Sequence, residues 1–172
     1  RGGVCMGFFD LAKQRYSVRA YKPDAVEDEK LQQVLSAGVL APTACNLQPF
    51  RLVVVRTREY LDALKKLYGA PFFVQAPVVI GVYADVNTAW VRRDGKSYAD
   101  VDAAIVMDHI ILAATELGLG TCWIGAFDAQ AARDLAGLGA GWEPVAFTPL
   151  GYPASGQPAK RRKPLEELVT YL

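Results

Sequence analysis

The sequence is poor in the residues that bind metals or form disulfide frameworks. It contains one histidine, His109, and three cysteines, Cys5, Cys45 and Cys122, which are odd in number and lack metal-ligand spacing. A protein zinc site needs more ligands of this kind than the chain offers, so we expect no metal centre. Unpaired thiols are typical of reducing compartments, and we therefore expect a cytoplasmic protein.

The sequence also lacks an excess of charge of one sign and a long apolar segment. Its 19 lysines and arginines nearly balance 18 acidic residues and leave a net charge of +1, which argues against nucleic acid or an anionic membrane as a partner. The longest apolar stretch, residues 103–119, is interrupted by Asp108, His109 and Glu116. No membrane span is expected from such a stretch.

The length of 172 residues fits one domain with a sizeable core. No cleavable signal is expected at the start, which is RGGVC, and the first methionine is Met6. We interpret residues 1–5 as an added or trimmed start and expect a single domain over residues 7–172.

Hydrophobic patterning predicts an α+β chain in which helices and strands are interspersed. Helices are expected near residues 8–13, 29–39, 59–67, 100–117 and 129–135, and strands near 51–55, 77–83, 121–127 and 143–152. Gly118 and Gly120 follow the longest helix and lead into a strand. A dinucleotide-binding turn needs the reverse order, from strand to helix, so both glycines are interpreted as a helix C-cap.

The helix predicted at residues 100–117 is apolar around most of its circumference. Such a helix needs cover on all sides. Only four short strands are available to cover it, and we therefore favour a second subunit as the source of cover. The alternative is a central helix covered by its own chain. His109, in the middle of this helix, is interpreted as a core or interface histidine.

Two basic segments at opposite ends of the chain have the composition of a phosphate site. In RYSVRAY, residues 15–21, the side chains of Arg15, Ser17 and Arg19 alternate and would point the same way in an extended segment. Arginine offers bidentate donors to phosphate, and serine adds a small hydroxyl. Either this segment or PAKRRKP, residues 158–164, fits a solvated surface by itself. The pair is more suggestive, because folding can bring both to one phosphate.

The loop APTACNLQPF, residues 41–50, joins a predicted helix to a predicted strand. Asn46 and Gln48 carry amides that both donate and accept, which suits the edge of a heterocycle. The prolines restrict the backbone and lower the entropy lost when the loop binds a ligand. The alternative is a loop that satisfies its own turn.

Taken together, five segments in one order resemble the nitroreductase family, whose members are flavin-dependent oxidoreductases that bind FMN. The segments are RYSVRAY, APTACNLQPF, QAPVV (75–79), LAATELGLGTCWIG (112–125) and the tail PLGYPA…KRRKPLEELV (149–169). Each segment alone is weak, and their common order from about residue 8 to the C-terminus carries the resemblance.

The resemblance implies a fold and a set of cofactor contacts. The fold is α+β, a mixed four- to five-stranded sheet flanked by helices, in an intertwined homodimer with FMN at each of two subunit interfaces. In the implied FMN site, the phosphate and pyrimidine contacts come from Arg15, Tyr16, Ser17 and Arg19, and the phosphate is also contacted by Lys160 and Arg162. The partner subunit contributes Pro42, Thr43, Ala44 and Asn46. The residues that pass along the ring are Trp123, Ile124 and Gly125. The Gly125 N–H is the candidate that faces flavin N5.

The implied activity is ping-pong transfer of a hydride from NAD(P)H through flavin N5 to an electron-poor acceptor such as a nitroaromatic or quinone. No side chain is expected to act as a catalytic acid or base. One alternative is a flavin enzyme of this fold with other chemistry, such as dehydrogenation, dehalogenation or flavin breakdown. Another is a non-enzymatic flavin-binding redox module. The chain departs from larger members in its compact stretch at 85–96, where Trp90 is the available aromatic, and in GAPFFVQ (69–75), which lacks their pyrimidine contacts.

Overall fold

The computed structural model describes residues 7–172, so the interpretation of residues 1–5 and Met6 lies outside the described part. The helices are α1 (Phe8–Gln14), α2 (Asp28–Val39), α3 (Leu61–Leu67), α4 (Ala99–Glu116), α5 (Ala129–Ala136) and α6 (Leu165–Leu168). The strands are β1 (Phe50–Arg56), β2 (Val78–Asp85), β3 (Gly120–Thr121) and β4 (Trp142–Gly151).

The four strands form one sheet in the order β1-β2-β4-β3. All three neighbouring pairs of strands are antiparallel. Parallel pairing occurs at an isolated bridge between Ser17 and Thr121, where the segment after α1 runs beside β3. The predicted α+β fold, a sheet of four to five strands flanked by helices, is confirmed, with four strands observed. The expected mixture of strand directions is limited to this bridge, since the regular pairs are antiparallel.

Helices cover both faces of the sheet because the side chains of β2 alternate between two hydrophobic clusters. Val78, Ile80 and Val82 pack in the cluster that contains α2 and α4. Val79 and Tyr83 pack in the cluster that contains α3 and α5. All of β2 except its last residue is buried, which explains why its sequence is a continuous apolar run.

Helix α4 packs closely against α2 but is not covered on all sides by the described part of its own chain. A Cβ added at Gly38 of α2 would lie 2.8 Å from Cγ1 of Ile110, so glycine permits the close approach of the two helices. On the other side of α4, Ile105 and Leu112 are half-buried and Val101 is exposed. Residues 7–172 of a single chain therefore leave an apolar stripe of α4 partly uncovered.

The prediction of a strand over residues 121–127 is wrong in extent, because the observed strand β3 covers only Gly120–Thr121. Regular pairing ends at Thr121, and the chain pairs again only at Ile124, which forms an isolated bridge with Phe147. Between these points the backbone N–H of Cys122 donates to the side-chain oxygen of Thr148 at 3.0 Å instead of to a backbone carbonyl. This side-chain bond satisfies the Cys122 N–H where regular pairing has ended.

The interpretation of two glycines as a helix C-cap is correct for one of them. Gly118 has a φ of +75° directly after the end of α4, a left-handed conformation that favours glycine. Gly120 instead begins β3, where a Cβ would lie only 2.7 Å from Cγ2 of Val18. Close packing of the segment after α1, rather than a cap, explains this second glycine.

Among the helices in residues 7–172, none has the length and apolar composition that crossing a bilayer requires.

Candidate functional site

The segment after α1 is fixed against β3 by its buried residues. The Val18 N–H donates to the carbonyl oxygen of Thr121 at 2.8 Å. The hydroxyl of Tyr21 donates to the Val18 carbonyl oxygen at 3.0 Å, and burial raises the pKa of this phenol, so it remains protonated. Arg15 and Ser17 are half-buried and Arg19 is exposed. The buried anchors thus hold three polar side chains at the alternate positions predicted from sequence.

The C-terminal segment returns to the end of α1 and brings a second set of cations. The Tyr16 hydroxyl donates to the Ser155 carbonyl oxygen at 2.6 Å. The ammonium of Lys160 donates to the carbonyl oxygens of Ala12, at 3.1 Å, and Lys13. These carbonyls belong to the last turn of α1, where helical partners are missing. Lys160 is therefore held beside Arg15 although the two residues are far apart in sequence.

Electrostatic effects on Lys160 and Cys122 indicate that the cations lie near one another. Partial burial lowers the pKa of Lys160, and the charges of Arg15 and Arg162 lower it further. Burial raises the pKa of the Cys122 thiol, and this effect is opposed first by Arg19, then by a hydrogen bond with Ser17 and by Arg15. The two ends of the chain thus contribute cations to one region, as predicted.

We call this group the basic cluster, and its members are Arg15, Ser17, Arg19, Lys160 and Arg162. The salt bridges recorded within residues 7–172 include none of its four cations. Among residues 7–172 the cluster therefore concentrates positive charge without a recorded ion pair to a carboxylate.

Residues 123–125 lie directly after the contact between Cys122 and the basic cluster. Trp123 is 41% exposed, whereas Ile124 is buried by its bridge to Phe147. A Cβ added at Gly125 would have no heavy atom within 4 Å, and the φ of Gly125 lies outside the left-handed region. Neither backbone conformation nor crowding in the described chain thus requires glycine there.

The 43–48 loop, residues 43–48 between α2 and β1, has an unusual backbone. Cys45, Asn46 and Gln48 have φ values of 53°, 53° and 52°, in the left-handed region that residues other than glycine adopt uncommonly. The Gln48 N–H donates to the Thr43 hydroxyl at 3.0 Å, and its side-chain amide donates to the Asn46 carbonyl oxygen at 3.2 Å. The Gln48 amide closes the loop, whereas the Asn46 side chain is exposed.

Asp102, in the first turn of α4, is a candidate residue that sequence analysis missed. Its Oδ1 accepts a hydrogen bond from the Ala44 N–H at 2.9 Å, and the residue is 1% exposed. The sequence does carry a signal for this residue. Asp102 precedes Val106 by four residues and Ile110 by eight, so all three lie on the same buried face of α4.

The basic cluster and the 43–48 loop are associated with opposite edges of the sheet. The cluster lies beside β3, and the loop leads directly into β1. Three inter-strand spacings separate these edges, which corresponds to about 14 Å. One chain therefore brings residues 15–19, 122–125, 160 and 162 to one region, and places residues 42–46 at another.

Two other residues singled out from sequence have structural contacts. Nδ1 of His109 lies 2.9 Å from the carbonyl oxygen of Ile105, an acceptor, so this nitrogen carries the proton. The ring of Trp90 packs edge-on against Tyr98 with 4.8 Å between centroids. Trp90 thereby stabilises the compact turn that precedes α4.

Similarity to known proteins identifies the family. The model of the nitroreductase family matches residues 12–69 and 58–152. The chain belongs to the nitroreductase family. The resemblance inferred from sequence motifs is thus confirmed, and with it the expectation of an oxidoreductase enzyme.

Individual relatives are similar over nearly the whole chain. A protein named NADH dehydrogenase from Thermus thermophilus is 30% identical over 93% of each chain. A nitroreductase family protein of known structure from Clostridium difficile 630 is 39% identical, with a TM-score of 0.89 over 96% of this chain and 98% of that one. The structure of an FMN-dependent nitroreductase from Clostridium difficile R20291 is 27% identical, with a TM-score of 0.78 over 96% of this chain and 98% of that one.

Proposed function

We propose that this nitroreductase-family protein is an FMN-dependent oxidoreductase that transfers a hydride from NADH or NADPH to an electron-poor acceptor such as a nitroaromatic or quinone. The basic cluster is the observation that carries the proposal. Four cations and a hydroxyl converge without a neutralising carboxylate in the described chain. Mutual repulsion makes such a group unfavourable unless an anion binds, and the FMN phosphate is an anion of suitable charge.

The residues beside the basic cluster fit the flavin ring. Gly125 has open space where a side chain would lie, which suits a position that a ring approaches closely. Bound FMN would supply the ring that exchanges a hydride with the nicotinamide. We assign the side chains of Tyr16 and Trp123 and the backbone of Ile124 to the walls of this site, and the Gly125 N–H to a hydrogen bond with N5. We assign Arg19 to stabilisation of negative charge near N1.

We further propose that the site is completed in a homodimer. The 43–48 loop lies at the sheet edge opposite the basic cluster, so Pro42, Thr43, Ala44 and Asn46 would approach FMN held by a second copy. Exposed apolar side chains support a large interface, since Phe9 is 78%, Leu40 is 81% and Leu168 is 65% exposed. The half-buried stripe of α4 adds to this surface.

The overall reaction balances without a catalytic side chain. NAD(P)H loses a hydride and becomes NAD(P)⁺, and this hydride with one solvent proton converts a quinone to a hydroquinone. The chain's own contribution is to bind and orient the reactants. We propose the cytoplasm as the compartment, which the free thiols of Cys45 and Cys122 support.

The test compares FMN with riboflavin, which carries the same ring without the phosphate. We expect bound FMN to show a perturbed visible spectrum and to raise the melting temperature with its concentration, as mass action requires. Riboflavin should bind much more weakly. The FMN-loaded protein should then oxidise NADH or NADPH when a quinone or nitroaromatic is added.

Three results would contradict parts of the proposal. Failure to bind FMN would overturn the cofactor assignment. Equal affinity for riboflavin would remove the phosphate role of the basic cluster. Bound FMN without turnover would instead favour a flavin-binding redox module.

A further inference from the structure

Asp102 links the 43–48 loop to helix α4 through one hydrogen bond. The carboxylate Oδ1 accepts from the Ala44 N–H at 2.9 Å. The other hydrogen bonds recorded in residues 7–172 for the groups of this loop join residues between 43 and 50 to one another. Those bonds maintain the shape of the loop, whereas the bond to Asp102 fixes its position relative to the core.

The environment of Asp102 is unfavourable for an aspartate that has no other role. The residue is 1% exposed, and its Oδ2 is buried without a hydrogen-bond partner in the described residues. A buried polar atom without a partner lowers stability, and an apolar side chain at this position of α4 would avoid that cost. The residue type is therefore better explained by its bond to the loop than by packing of the helix.

The loop that Asp102 holds is itself strained. Cys45, Asn46 and Gln48 all have left-handed φ values, and such conformations persist where the surrounding structure fixes them. Ala44 immediately precedes two of these residues. A bond at Ala44 is therefore well placed to keep the loop from relaxing to more common conformations.

We propose that Asp102 is a positioning residue that holds the 43–48 loop in its strained conformation before FMN binds. The inference rests on the proposed function, because it assigns the loop to the wall of an FMN site. A loop that is already ordered loses less conformational entropy when the cofactor binds. Asp102 thus acts on FMN through the loop, without touching the cofactor.

The test compares three variants in the absence of FMN by hydrogen exchange of backbone amides. Asp102→Ala removes the acceptor, Asp102→Asn retains an oxygen at the same place, and Asp100→Ala removes a charge from the same turn of α4 at an exposed position. We expect exchange at Ala44 and Asn46 to become at least about tenfold faster in Asp102→Ala only, because a lost acceptor exposes the loop amides. Amides of β2 provide the internal reference.

FMN affinity gives a second measurement on the same variants. We expect Asp102→Ala to bind FMN about tenfold more weakly, with affinity restored in Asp102→Asn, because one hydrogen bond of this kind contributes on that order. Unchanged loop exchange in Asp102→Ala, or equally fast loop exchange in Asp102→Asn, would overturn the proposal.

A further variant applies if Asp102→Ala does not fold. Ala44→Pro removes the donor instead of the acceptor, and the extended Thr43, with φ −130° and ψ 157°, is compatible with a following proline. Faster exchange at Asn46 and Leu47 is expected, and unchanged exchange there would overturn the proposal. Because exchange is measured without FMN, a protein that fails to bind FMN but shows the expected exchange would contradict only the proposed function.

Discussion

The basic cluster and the 43–48 loop contribute to the proposed site in different physical ways. The cluster consists of four long, partly exposed cationic side chains and one serine hydroxyl, on two segments from opposite ends of the chain. The loop carries no charged side chain, and its distinctive feature is a backbone with three left-handed residues fixed by Asp102 and by internal bonds. One region offers charge on adaptable side chains, and the other offers shape on a fixed backbone.

Because of this contrast, affinity for the cofactor and local stability should respond differently to mutation and to salt. Attraction between exposed charges is screened by salt, so the contribution of the basic cluster should fall as ionic strength rises. Backbone strain in the loop is insensitive to salt and affects the free energy of unfolding even without a ligand. The cluster should therefore govern affinity for the cofactor, and the loop should govern local stability.

The largest effect is expected from the double variant Arg15→Ala/Arg19→Ala. Each charge-assisted hydrogen bond contributes about 1.5–3 kcal/mol, and since both side chains are partly exposed we expect the low end, a loss of FMN affinity of about 100-fold. The salt dependence of affinity should flatten as well. Fluorescence titration of FMN at several salt concentrations measures both effects.

A matched control removes two charges elsewhere. Arg56→Ala/Arg133→Ala changes the net charge equally but removes arginines that pair with Asp28 and Glu143 at 2.7 and 2.6 Å. An equal loss of affinity in this control would show that net charge, rather than the basic cluster, attracts FMN.

An intermediate effect is expected from Cys45→Val in the loop. A β-branched residue is strongly disfavoured at a φ of 53°, and we expect the free energy of unfolding without FMN to fall by about 1–2 kcal/mol. Because Cys45 is exposed, little core packing is lost. Denaturant unfolding at low and high salt should give the same difference.

Cys45→Gly is the control for this backbone effect. Glycine adopts the left-handed conformation without penalty, so its stability should stay within about 1 kcal/mol of the parent protein. Equal stabilities of the valine and glycine variants would contradict a strained loop in solution.

The smallest effect is the pH dependence that Lys160 contributes. Partial burial and the charges of Arg15 and Arg162 lower the pKa of this ammonium in the free protein, and a bound phosphate would raise it again. FMN binding is then coupled to proton uptake, so affinity should fall as the pH rises through the lowered pKa of Lys160. The change should be less than about fivefold, because the group is near the surface.

Lys160→Arg tests this assignment, since arginine remains charged over the whole range. Affinity measured from pH 8 to pH 10 should be flatter in this variant than in the parent protein. An identical pH profile would mean that another group is responsible.

Sequence patterning predicted the strongly periodic elements well. Helices α2 and α4 and strands β1, β2 and β4 were expected within two residues of their observed bounds, because each buries a continuous or periodic apolar set. The strand at 121–127 was predicted too long, and the N–H of Cys122 where pairing ends bonds to Thr148 of another strand, a contact that local patterning does not encode. Gly120 was misinterpreted for a similar reason, since Val18 packs on it from a distant segment.

The candidate site likewise combines features that were visible in the sequence with features that depend on distant contacts. The alternation of Arg15, Ser17 and Arg19 was visible in the sequence, as was the basic segment at the C-terminus. Their proximity required the folded chain, in which Lys160 reaches the end of α1. The burial of Asp102 was visible in its spacing with Val106 and Ile110, but its partner Ala44 lies 58 residues away, and no local pattern encodes that contact.

The sequence by itself determined the family, the α+β class and the residue types available for a cofactor, because local periodicity and ordered motifs depend on neighbouring residues. Only the tertiary structure decided which of these residues meet. It placed the basic cluster and the 43–48 loop at opposite edges of one sheet, because strand order and long-range contacts depend on how the whole core packs.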